Sequence, residues 1–144
     1  MIRQAEIKDL PELYRMIDLF HEATGPKAIG KMDYDSMEHT FKVLIDENIL
    51  LTDGKSGMLG ILVYKLFYNH SIKVAQEIFW WVDEDKRGKG FGLELLKEAE
   101  KKVKEMGAKA LFMLKVKGLG DERLDALYKA LGYIEQETTY RRDL

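Results

Sequence analysis

The chain has 144 residues, 46% hydrophobic and 33% charged, with 23 basic against 25 acidic residues and no cysteine. This fits a single domain over residues 1–144 with a substantial core. A net charge of −2, mixed along the chain, excludes the basic footprint of a nucleic-acid or membrane-surface binder. The lack of cysteine excludes disulfides and a thiolate nucleophile, and three scattered histidines make no zinc site, so no metal is expected. The N-terminus lacks an apolar leader, and no apolar run approaches a membrane span, which gives a cytoplasmic expectation.

Residues 1–6 read as a short strand. Asp9, with Glu12 three residues on, matches a capping box for a helix burying Leu10, Leu13, Tyr14, Ile17 and Phe20. Gly25-Pro26 breaks the chain, and residues 24–31 form a loop. A second helix starts at Asp33 and buries Met37, Phe41, Leu44 and Ile45. Residues 48–52 and 58–68 are strands around a glycine-containing turn, with Gly60 marking a bulge or a close approach. A third strand follows in antiparallel succession and ends in the aromatic run Ile78 to Val82.

Next comes Arg87-Gly88-Lys89-Gly90-Phe91-Gly92, followed by Leu95, Leu96, Ala99, Val103 and Met106 at helical spacing. The first amides of a helix have no acceptor within it, and its dipole adds positive potential there. Glycines admit an anion close to the backbone, and Arg87 and Lys89 add cations, so this loop is a phosphate or pyrophosphate candidate. A Walker A loop needs Ser or Thr after Gly88-Lys89, where Gly90 stands. A dinucleotide fingerprint needs an acid about 20 residues on, where Gly107-Ala108-Lys109 stand.

The helix over 90–106 must cross to a parallel strand at 110–116. Asp121 caps a short helix burying Leu124, Leu127, Tyr128 and Leu131, and residues 133–141 close the sheet.

Arg87 through Gly92 resembles the Arg/Gln-x-x-Gly-x-Gly/Ala signature of the GNAT (GCN5-related) N-acetyltransferase superfamily. Leu127-Tyr128-Lys129-Ala130-Leu131-Gly132-Tyr133 looks like that family's second motif, and the element order agrees. The run Ala75 to Val82 looks most like small phage and bacterial members.

The resemblance implies an α/β (α+β) fold of three layers, α/β/α, with about four helices and a mixed, mostly antiparallel sheet of about six or seven strands. The fourth and fifth strands splay apart, and acetyl-CoA lies in the gap. By this likeness, Trp81 and Val82 offer main-chain groups to the pantetheine, and Arg87, Gly88, Lys89, Gly90, Phe91 and Gly92 hold the pyrophosphate. Acetyl-CoA is a co-substrate here, and direct transfer requires no protein nucleophile.

Tyr128 matches the general acid to the CoA sulfur, although its spacing fits a core tyrosine too. Glu77 is the natural base, yet a shift of one residue puts Gln76 in its place unless a bulge near Trp80-Trp81 intervenes. His70 is a further base. Relatives often carry Asn where Asp121 stands, so that cofactor contact is in doubt. The acceptor is a small-molecule or peptide amine. Members are often homodimers, and the sequence adds no dimer signature of its own. A noncatalytic CoA-binding or host-protein-binding module with the same fold is the alternative.

Overall fold

The computed structural model describes residues 1–144, with the side chains of Pro26 and Asp121 left outside the description. The chain divides into two compact units, Met1–Leu114 and Lys115–Leu144.

The first unit holds one sheet in the order β1 (Arg3–Gln4), β2 (Leu50–Thr52), β3 (Gly57–Leu66), β4 (Asn69–Val82) and β5 (Ala108–Phe112). The first four strands are antiparallel neighbours, and β5 pairs parallel with β4. A parallel partner needs a crossover, supplied by α3 (Phe91–Glu105). α1 (Leu10–Thr24) and α2 (Tyr34–Asp46) precede the central strands.

Alternation along β4 sets the layers. Phe79 packs edge-on against Phe41 of α2, ring centroids 5.9 Å apart. Its neighbour Trp80 faces the other way, where a Cβ on Gly92 of α3 would meet Trp80 Cζ2 at 3.5 Å. Gly60 is glycine because Phe79 covers it: an added Cβ would lie 2.5 Å from that ring. Leu13, Met16, Phe41, Leu50, Met58, Leu59, Leu95 and Leu96 are fully buried between these layers.

The second helix begins at Tyr34, beside the expected Asp33, which caps it by accepting the Ser36 N–H at 3.1 Å. The expected box between Asp9 and Glu12 is absent. The Asp9 carboxylate accepts the Glu6 N–H at 2.8 Å and the Arg3 guanidinium at 2.7 and 2.8 Å, which moves the box three residues upstream and fills both oxygens.

The second unit contains α4 (Asp121–Ala130), with Leu124, Leu127 and Tyr128 half-buried. Gly120 occupies the cap position of α4 with φ 71°; the expected capping by the Asp121 side chain lies outside the described residues. Residues 133–144 form neither helix nor strand, which corrects the expected closing strand and brings the sheet to five strands. Strand propensity is realised only by pairing and burial, and Ile134 and Tyr140 are exposed. Among the described residues no helix is long and apolar enough to cross a membrane.

Candidate functional site

The β4–β5 ladder ends at Gln76↔Phe112. Beyond that rung, residues Glu77 to Val82 of β4 have β3 on one side and, among the described residues, no strand on the other. The register decides which main-chain groups line this open edge. Ile61 N–H donates to Ile49 O at 3.0 Å, and Asp83 N–H donates to Ser56 O at 2.8 Å. Bonding therefore alternates along β3, odd residues toward β2 and even residues toward β4. Trp81, opposite Met58, directs its main-chain groups at β3, while Trp80 and Val82, opposite Leu59 and Gly57, direct theirs outward. The main-chain groups of Val82 and Trp80 thus face the open edge, and those of Trp81 face β3.

Glu77 lies at the point where the strands part. Gly60 pairs with Phe79 and Ile61 with Glu77, so Ile78 is the extra residue of a bulge, two residues before the expected position. Glu77 is 7% exposed, and its Oε1 accepts the Leu114 N–H at 2.9 Å. Burial raises its pKa to about 7, against the opposing pull of that N–H bond. Gln76 is half-buried and accepts the Tyr64 hydroxyl at 3.2 Å, so the one-residue alternative places an amide against a tyrosine. His70 is exposed near the start of β4, roughly 20 Å of extended chain from Glu77.

Past Val82 a short turn over Glu84–Lys86 leads to the glycine loop. Gly90 caps α3 in the left-handed region, φ 87°. The first helical bond runs from Glu94 N–H to Gly90 O at 3.0 Å, so the amides of Phe91, Gly92 and Leu93 precede the helical ladder. Lys89 and Gly88 are exposed on the same loop. Arg87 Nε donates to Val82 O at 2.8 Å, and its guanidinium carbon lies 4.6 Å over the Trp81 ring. Trp81 Nε1 donates to Asp83 Oδ1 at 2.9 Å, and Arg15 of α1 donates to Asp83 Oδ2 at 2.8 Å. These groups border a cleft of about 560 Å³. Asp83 and Arg15 carry no sequence signal for this role, since they meet across 68 positions.

In the second unit, the Tyr128 ring lies 5.5 Å from that of Tyr133 at 46°, and Tyr133 N–H donates to Tyr128 O at 2.9 Å. The motif spacing from Tyr128 to Tyr133 thus corresponds to the chain reversal that ends α4.

Chemically, the first unit combines a glycine-capped helix start with two loop cations, a stretch of β4 that among the described residues has no strand partner on one side, and a buried carboxyl whose pKa is raised to about 7. The pattern of the Acetyltransferase (GNAT) family matches residues 10–133. Among curated proteins none matches. Solved structures share the fold. Ribosomal-protein-alanine N-acetyltransferase from Brucella melitensis biovar Abortus 2308 aligns with TM-score 0.77 at 19% identity, over 100% of this chain and 97% of that one. An aminoglycoside acetyltransferase from an uncultured soil metagenomic sample, in complex with trehalose, gives 0.72 at 23%, over 100% and 95%. Glucosamine-6-phosphate N-acetyltransferase from Arabidopsis thaliana gives 0.69 at 17%, over 99% and 97%. With the family pattern covering residues 10–133, the chain belongs to the acetyltransferase (GNAT) family.

Proposed function

We propose that this protein is a cytoplasmic acetyl-CoA-dependent N-acetyltransferase, one domain over residues 1–144, that moves an acetyl group directly to a primary amine. The observation that carries this reading is the run of β4 past its last β5 partner and on into the Gly90-capped start of α3. An extended ligand bearing amides at one end and a diphosphate at the other matches that path: outward main-chain groups first, helix amides next.

In this reading Arg87, Gly88, Lys89, Gly90, Phe91 and Gly92 hold the pyrophosphate, and Trp80 and the N–H of Val82, whose carbonyl holds Arg87 Nε, offer main-chain groups to the pantetheine. Trp81 serves through its ring, as the support of Arg87. When bound, acetyl-CoA supplies the activated acyl group.

The residues of the chain then handle protons. An ammonium cannot attack, so a base must make the amine neutral. Glu77, with its pKa raised to about 7, accepts that proton near neutral pH. Tyr128 donates a proton to the departing sulfur, an assignment that rests on its motif. The acceptor is a small-molecule or peptide amine. The solved relatives are named for aminoglycosides, a ribosomal-protein alanine and glucosamine-6-phosphate, which supports an amine in that range.

The reading is tested by thiol release over a panel of such amines, with and without Glu77→Gln. Turnover with at least one amine that depends on acetyl-CoA supports it; binding of acetyl-CoA with no thiol release from any amine identifies a noncatalytic module instead.

A further inference from the structure

Four side chains beside the glycine loop form a continuous chain of contacts. Arg15 of α1 forks Asp83, with Nη2 to Oδ2 at 2.8 Å and Nη1 to Oδ1 at 3.2 Å. Arg15 is itself fixed by Glu12 through Nε at 2.7 Å and by the Lys55 carbonyl at 2.7 Å. Asp83 Oδ1 also takes the Trp81 indole N–H at 2.9 Å. The Trp81 ring then lies under Arg87, whose Nε is held by Val82 O. Arg87 is exposed, and among the described residues its two Nη groups have no partner.

We propose that Asp83 is a positioning residue for diphosphate recognition. It never touches the ligand; it fixes the Trp81 ring, and the ring together with the Val82 carbonyl holds the Arg87 guanidinium in one orientation. An exposed arginine otherwise surrenders rotamer freedom when it grips an anion, and a side chain already ordered has less to lose. A stacked, forked guanidinium also matches two phosphate oxygens in a way an ammonium cannot. This inference rests on the reading of the glycine loop as the diphosphate site.

Two measurements on the full chain decide it. In the ligand-free protein, ¹⁵N relaxation of the Arg87 Nε–H reports its order directly. Wild type is expected near the rigid limit, about 0.85, and Asp83→Ala or Trp81→Leu below about 0.6. An Arg87 signal equally ordered in all three overturns the proposal.

The second measurement is calorimetric titration with acetyl-CoA in a double-mutant cycle. Asp83→Ala is expected to weaken binding about five- to tenfold, and Arg87→Ala roughly 10- to 100-fold. Added to Arg87→Ala, Asp83→Ala should produce no further loss, because its effect passes through Arg87. Equal losses in both backgrounds show a general structural role and overturn the proposal. Trp81→Phe, which keeps a ring but removes the indole N–H, should match Asp83→Ala and serves if that variant folds poorly. Failure of wild type to bind acetyl-CoA overturns the coenzyme reading, and the relaxation data still decide whether Asp83 orders Arg87.

Discussion

Glu77 Oε1 accepts the Leu114 N–H at 2.9 Å, so a buried carboxyl ties β4 to the chain just beyond β5, past the last rung of their ladder. This one bond marks where the two strands separate and places a titratable group at the head of the gap.

Stability should carry the signature of that carboxyl. Glu77 has its pKa raised from 4.5 to about 7 by burial. Between those values the folded protein holds a proton that the unfolded chain has released, so this group makes stability fall as pH rises from about 4.5 to about 7. Glu77→Gln removes the titration while keeping an acceptor for Leu114 N–H. In urea unfolding, the variant should gain roughly 3 kcal/mol on wild type between pH 4 and pH 8. A constant difference across that range would show that Glu77 is not held neutral.

Activity should titrate with the same group, in the opposite sense, because the base works only when ionised. kcat/KM is expected to rise with pH through an apparent pKa near 7. Glu77→Gln should lose that limb and reduce kcat by about 10² to 10⁴ with little change in acetyl-CoA Kd. A pH profile with the same limb in wild type and variant would assign the base elsewhere.

Tyr128→Phe tests the acid. Loss of the hydroxyl should lower kcat by about 10² or more while leaving the Kd for acetyl-CoA within about twofold. Equal turnover by the two proteins would return Tyr128 to a packing role beside Tyr133.

Two glycines of the loop should differ. Gly90 has φ 87° and open space where a Cβ would go, so Gly90→Ala bears backbone strain of about 1–2 kcal/mol and disturbs the amides at the helix start. Gly92 has ordinary φ, and its added Cβ would meet Trp80 and Val82 at 3.5 Å, a normal contact. Gly92→Ala should stay within about 0.5 kcal/mol of wild type in thermal or urea unfolding. Equal destabilisation by both would mean that the left-handed cap is not what requires glycine.

Features governed by local chemistry were legible in the sequence. The starts of α2 at Asp33 and of α3 at Gly90 could be read from neighbouring residues, and the structure adds how each is capped, by Asp33 accepting the Ser36 N–H and by Gly90 in the left-handed region. Gly60 announced a disturbance in the sheet, and the bulge lies beside it. Features set by distant partners were not legible. Whether Trp80 or Trp81 faces the open edge depends on which residues of β3 bond to β2, a fact held in Ile49 and Ile61. Arg15 drew no reading from the sequence because its partner Asp83 lies 68 positions away in another element. Residues 133–141 have strand-like composition, yet no ladder forms there.

Calorimetric titration of the folded wild-type chain with acetyl-CoA addresses the central claim most directly. The account predicts saturable binding of one coenzyme per chain, with Kd between about 1 μM and 1 mM, weakened by Arg87→Ala. Absence of any saturable heat at millimolar acetyl-CoA would contradict it.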